Sequence, residues 1–62
     1  MNDYAYPTMM AEKSLKNLHN AMLMRNYEDA LLAGLNAIAE VRLAIAAIRD
    51  TIAKEAEHAH RA

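Results

Sequence analysis

The stretch Ile38-Ala39-Glu40-Val41-Arg42-Leu43-Ala44-Ile45-Ala46-Ala47-Ile48-Arg49-Asp50-Thr51-Ile52 decides the fold. Ile38, Val41, Ile45, Ile48 and Ile52 recur at spacings of three, four, three and four, which draws one apolar seam along a helix. The seam extends back to Leu31 and forward to Ala59. Its residues from Ile38 to Ile52 are all β-branched, and β-branched side chains at both seam positions favour bundles of higher order over a simple two-stranded coiled coil.

Upstream of the seam, Asn26-Tyr27-Glu28-Asp29 reads as a helix start. Asn26 is a good N-cap, Asp29 three residues on can answer its backbone amide, and acids suit the positive end of a helix. From Tyr27 to about His60 there is no proline, and Gly34 is the one weak breaker. A second helix over about 27–60 is therefore expected, about 50 Å long at 1.5 Å per residue. Before it, Ala11, Leu15, Leu18 and Met22 recur at four, three and four, predicting a first helix over about 8–25, roughly 25 Å long. Lys13, Lys16, Asn17 and Asn20 fall mostly on its other side. Thr8 is the expected N-cap, and Pro7, which pushes Tyr6 towards extended geometry, makes residues 1–7 an extended arm.

The two lengths do not match. An antiparallel hairpin covers the second helix only to about Arg42 or Leu43, and burying Ile45, Ile48 and Ile52 is worth about 1.5–3 kcal/mol per side chain. No segment of the same chain remains to do it. The expectation is an all-α antiparallel helical hairpin (residues 8–62) with a long second helix, assembling into an oligomeric helical bundle through Ile38, Val41, Ile45, Ile48 and Ile52. Ala30, Ala33, Gly34 and Ala37 give the second helix a small-residue face for close approach of the first. Gly34 costs about 1 kcal/mol relative to alanine in a helix interior, so a neighbouring group is expected to press against it.

Composition agrees with self-association. The chain has 62 residues and no cysteine, below the size at which one core readily supplies stability, and disulfides and thiolate zinc sites are impossible. It is 55% hydrophobic and 24% charged at a mean hydropathy of −0.15, a balance typical of long helices and coiled coils. Seven basic against eight acidic residues, net −1, argue against a nucleic acid polymer as partner. No stretch of 18 apolar residues is free of charge, and Met1-Asn2-Asp3-Tyr4 lacks the order of a signal peptide. The expectation is no membrane partner and a cytoplasmic location.

Arg25-Asn26-Tyr27-Glu28-Asp29-Ala30 resembles the turn and second-helix start of a tetratricopeptide hairpin, with its tyrosine followed three residues later by alanine. The resemblance implies a helix-turn-helix and covers one repeat at most. Leu18 stands at that pattern's small-residue position, Ser14 at its large aromatic position and Arg42 at its terminating proline, and a single unit cannot stack a solenoid. The whole chain, with Ala11-Glu12-Lys13-Ser14-Leu15 in one helix and Ala39-Glu40-Val41-Arg42-Leu43 in the other, resembles short helical proteins of tailed bacteriophages. That resemblance implies a phage-encoded protein of the host cytoplasm.

No catalytic constellation stands out. There is no cysteine nucleophile, no glycine-rich phosphate loop, no His-Glu-x-x-His pattern and no carboxylate pair set among apolar residues. Ser14 and His19 are five apart and point to different helix faces. Glu57-His58-Ala59-His60 is the nearest approach to a metal motif, but His58 and His60 diverge by about 160° on a helix. No enzyme activity, metal or cofactor is expected.

Arg42 and Arg49 are one heptad apart, and their i±3 and i±4 neighbours are isoleucines and alanines. Their guanidinium groups therefore need a partner from outside their own helix. Two readings stay open. One is an intermolecular salt bridge, with Glu12 or Glu28 as acceptor, or snorkelling at the bundle edge; the other is an arginine cluster between subunits that holds an anion, helped by Lys13, Lys16 or Arg25. Tyr4 and Tyr6 either fold back on the bundle or contact a partner. Tyr27 is expected to plug the turn, and Met9, Met10, Met22 and Met24 either fill gaps or form an adaptable surface.

The function expected is a small oligomeric binding protein that docks on a host protein through Tyr4, Tyr6, Met9 and the exposed face of the first helix. The alternatives are an oligomeric sponge that sequesters an anionic, nucleotide-like ligand between subunits, and a purely structural assembly element.

Overall fold

The structure is a computed structural model that describes residues 3–61, with side chains described as far as His58. Two helices, α1 (Ala5–Leu23) and α2 (Tyr27–Arg61), form an antiparallel hairpin measuring 56 × 13 × 13 Å. The all-α hairpin with a long second helix agrees with the sequence reading.

The start of α1 does not. It begins at Ala5 rather than Thr8, so the expected arm 1–7 is reduced to the residues before the helix, of which Met1 and Asn2 lie outside the described residues. Asp3 supplies the cap: its Oδ1 accepts from the amides of Ala5 at 2.9 Å and Tyr6 at 3.4 Å. Pro7 falls in the first turn, where an N–H would have no carbonyl to meet, so the ring is tolerated there. Thr8 is no cap, since its hydroxyl donates back to the Tyr4 carbonyl at 2.7 Å.

The turn is built from backbone hydrogen bonds. The Arg25 amide donates to Met22 O at 3.0 Å and the Asn26 amide to Ala21 O at 2.8 Å, the paired bonds of a Schellman ending. Arg25 takes the left-handed conformation this ending requires, with φ 57°. Asn26 then opens α2: its carbonyl accepts from Ala30 at 3.0 Å, and its side-chain Nδ2 donates to Asp29 Oδ2 at 2.6 Å. Asp29 therefore meets the side chain of Asn26 rather than its backbone amide, because that amide is already bonded to α1.

The helices meet along small residues. Ala30, Ala33, Ala37 and Ala44 of α2 are buried, as are Pro7, Ala11 and Ser14 of α1. Spacings of three, four and seven keep each set on one face. Gly34 lies at this interface: a Cβ placed on it would stand 3.3 Å from Leu18 Cδ1, which is the close approach its presence predicted. Ser14 Oγ donates to Glu40 Oε1 across the interface at 2.6 Å, a polar tie between two apolar stripes.

This interface corrects the expected first-helix stripe. Leu15 and Met22 are 54% and 48% exposed, while Ser14 is buried. It also changes the argument from length. Because the hairpin closes on alanines, the isoleucine seam stays open even beside α1, where Ile38 and Val41 are 51% and 44% exposed.

Candidate functional site

Two surfaces flank the alanine interface. On α2, Val41, Ile45, Ile48 and Ile52 lie on average about 60° round the helix from the buried stripe, at 100° per residue. On α1, Leu15 and Met22 are displaced from its stripe in the same sense by about 60–80°. Right-handed helices that run antiparallel bring same-sense flanks to the same side of the hairpin. One side of the molecule therefore presents Leu15 and Met22 together with the whole isoleucine seam, whose members from Ile38 to Ile52 are 40–61% exposed.

Arg42 and Arg49 lie at the outer edge of this apolar side. Both are exposed and make no hydrogen bond or ion pair among the described residues. Glu12 occupies the corresponding outer edge of α1, exposed and likewise without a partner there. The ion pair formed among the described residues joins Lys54 to Asp50 at 3.3 Å, within one helix and on the surface, where such pairs are worth under about 1 kcal/mol.

The opposite side holds a groove of about 550 Å³ between the start of α1 and the middle of α2. Tyr6, Pro7 and Met10 line it from α1, and Leu43, Ala46 and Ala47 from α2. Its two charged residues are acids, Asp3 and Glu40. Nothing in the sequence marked this groove, because it depends on the early start of α1, which turns Tyr6 and Pro7 into helical wall residues.

The other residues singled out by sequence are scattered rather than gathered. Tyr4 is exposed just before α1, Met9, Lys13 and Lys16 are exposed on it, and Arg25 sits in the turn. Tyr27 is 61% exposed and plugs nothing. Met10 is partly covered, whereas Met9, Met22 and Met24 are exposed. His60 lies outside the residues whose side chains are described. Among the described residues no three His, Cys, Asp or Glu side chains gather as metal ligands.

By length and composition α2 could cross a membrane, with 17% of its most apolar window buried. Glu40 and Arg42 stand near the middle of the helix, where each charge costs about 2.5–3.5 kcal/mol at a bilayer centre. Compared with models of known protein families, with curated proteins and with solved structures, the chain matches none.

Proposed function

We propose that this chain is a self-assembling helical binding protein, without catalytic chemistry, whose subunits join through the isoleucine side of the hairpin. The observation that carries the reading is the inversion of its packing. Among the described residues the buried apolar ones are Pro7 and five alanines, Ala11, Ala30, Ala33, Ala37 and Ala44, while the large side chains Leu15, Met22, Ile38, Val41, Ile45, Ile48 and Ile52 face solvent. A methyl group contributes about 0.8 kcal/mol on burial and an isoleucine about 1.5–3 kcal/mol. Most of the available apolar driving force is thus unspent in one chain.

A second copy supplies the matching surface. The seam has a coiled-coil repeat, and its β-branched character favours a bundle of three or more α2 helices, or a four-helix bundle of two hairpins, over a bare two-stranded zipper. The charges of Glu40 and Arg42 in the middle of α2 fit a soluble assembly in the cytoplasm.

Docking on a protein of a phage host remains the reading for what the assembly binds, through Tyr4, Tyr6, Met9 and the exposed face of α1. An anion held between subunits is favoured by one observation, Arg42 and Arg49 at the edge of the seam with no partner among the described residues. Native mass spectrometry of the protein purified from its natural host tests these readings together. A symmetric oligomer without added mass supports protein docking, and an oligomer carrying small-molecule mass lost in Arg49→Ala supports the sponge. A bare monomer refutes assembly, and a species that leaves the membrane fraction only in detergent refutes the cytoplasmic assignment.

A further inference from the structure

We propose that the groove between the start of α1 and the middle of α2 binds a small organic cation, an ammonium or guanidinium group carried on an apolar body. Its volume of about 550 Å³ falls in the range of pockets that hold drug-sized ligands. The walls are largely apolar, lined by Met10, Leu43 and Ala47, and Tyr6 adds an aromatic side chain of the kind that attracts cations. The charges are of one sign: Asp3 and Glu40 line the groove and no basic residue does.

Each carboxylate is held by one oxygen and offers the other. Glu40 Oε1 accepts from Ser14 at 2.6 Å, and Ser14 is itself buried, so the Glu40 carboxylate is fixed at the interface beside the groove. Asp3 Oδ1 accepts from the Ala5 and Tyr6 amides, which ties it to the first turn of α1. Glu40 Oε2 and Asp3 Oδ2 have no partner among the described residues. Acceptors positioned before the ligand arrives lose little freedom on binding, and a hydrogen bond to a charged donor is stronger than a neutral one. An anionic ligand of the same shape meets two like charges. The groove lies on the side away from the isoleucine seam, so occupation does not require the assembly to open.

The test compares 4-phenylbutylamine with 5-phenylpentanoate, equal in apolar body and opposite in charge, on the full chain labelled with ¹⁵N. The amine is expected to shift the amide resonances of Tyr6, Met10, Leu43 and Ala47, and the acid is not. Asp3→Asn keeps an acceptor for the first-turn amides and Glu40→Gln keeps one for Ser14, so both variants retain the fold while losing the charge. The double variant is expected to weaken amine binding about tenfold or more. Equal binding of amine and acid, shifts confined to the isoleucine side, unchanged affinity in the double variant, or no shift at millimolar amine would each overturn the proposal. Sedimentation of the same samples reads the oligomeric state separately, so loss of assembly is not mistaken for loss of the groove.

Discussion

Arg25 holds the hairpin turn in a conformation that L-residues other than asparagine and aspartate seldom adopt. Its φ of 57° costs about 1–2 kcal/mol for a residue with a Cβ, a penalty glycine escapes. Arg25→Gly is therefore expected to raise the stability of the hairpin by about 1 kcal/mol, read by urea denaturation followed by circular dichroism. Arg25→Ala keeps the Cβ and is expected to bring no such gain; equal stabilisation by both would show that the backbone conformation is not the cause. Gly34 is the converse case. Alanine there removes about 1 kcal/mol of helix penalty, and its Cβ would meet only the flexible end of Leu18 at 3.3 Å. Gly34→Ala is expected to be mildly stabilising and Gly34→Leu, which overpacks the interface, to cost about 1–3 kcal/mol in the same denaturation assay.

At the scale of the helices, a stripe of alanines specifies closeness but not register, because one methyl resembles the next. The hydrogen bond from Ser14 to Glu40 distinguishes this register from its neighbours. Ser14→Ala is expected to cost about 1–2 kcal/mol, and in a double-mutant cycle with Glu40→Ala the combined loss should fall short of the sum. Strict additivity would mean that the pair does not couple. The helices and the turn were legible in the sequence because Asn26, Asp29 and the seam spacing are local signals. The start of α1 is harder to read, because Pro7 has the signature of a boundary although the first turn tolerates proline and Asp3 stands where a cap belongs. The tie between Ser14 and Glu40 was not legible: the residues are 26 apart, and only the hairpin register brings them together. The groove beyond them follows from the same register.

At the scale of the molecule, the hairpin has an interface but hardly a core. A rod of 56 × 13 × 13 Å with its isoleucines outside is a subunit whose large apolar side chains await a partner. Glu12 and Arg42 lie at the outer edges of that apolar side, on different helices and without partners among the described residues. If hairpins stack so that α2 of one covers α1 of the next, these charges meet across the interface. Glu12→Arg and Arg42→Glu are each expected to weaken assembly several-fold, and the double reversal to restore it; failure of the double to recover would place the two charges apart. The most direct measurement is sedimentation equilibrium of the wild-type chain beside Ile45→Asp/Ile48→Asp, with helicity recorded on both. The account predicts a wild-type mass that is a multiple of 6.9 kDa and a variant that falls to the monomer while α1 and the hairpin turn persist. A wild-type chain that stays a 6.9 kDa monomer across the micromolar range would contradict it.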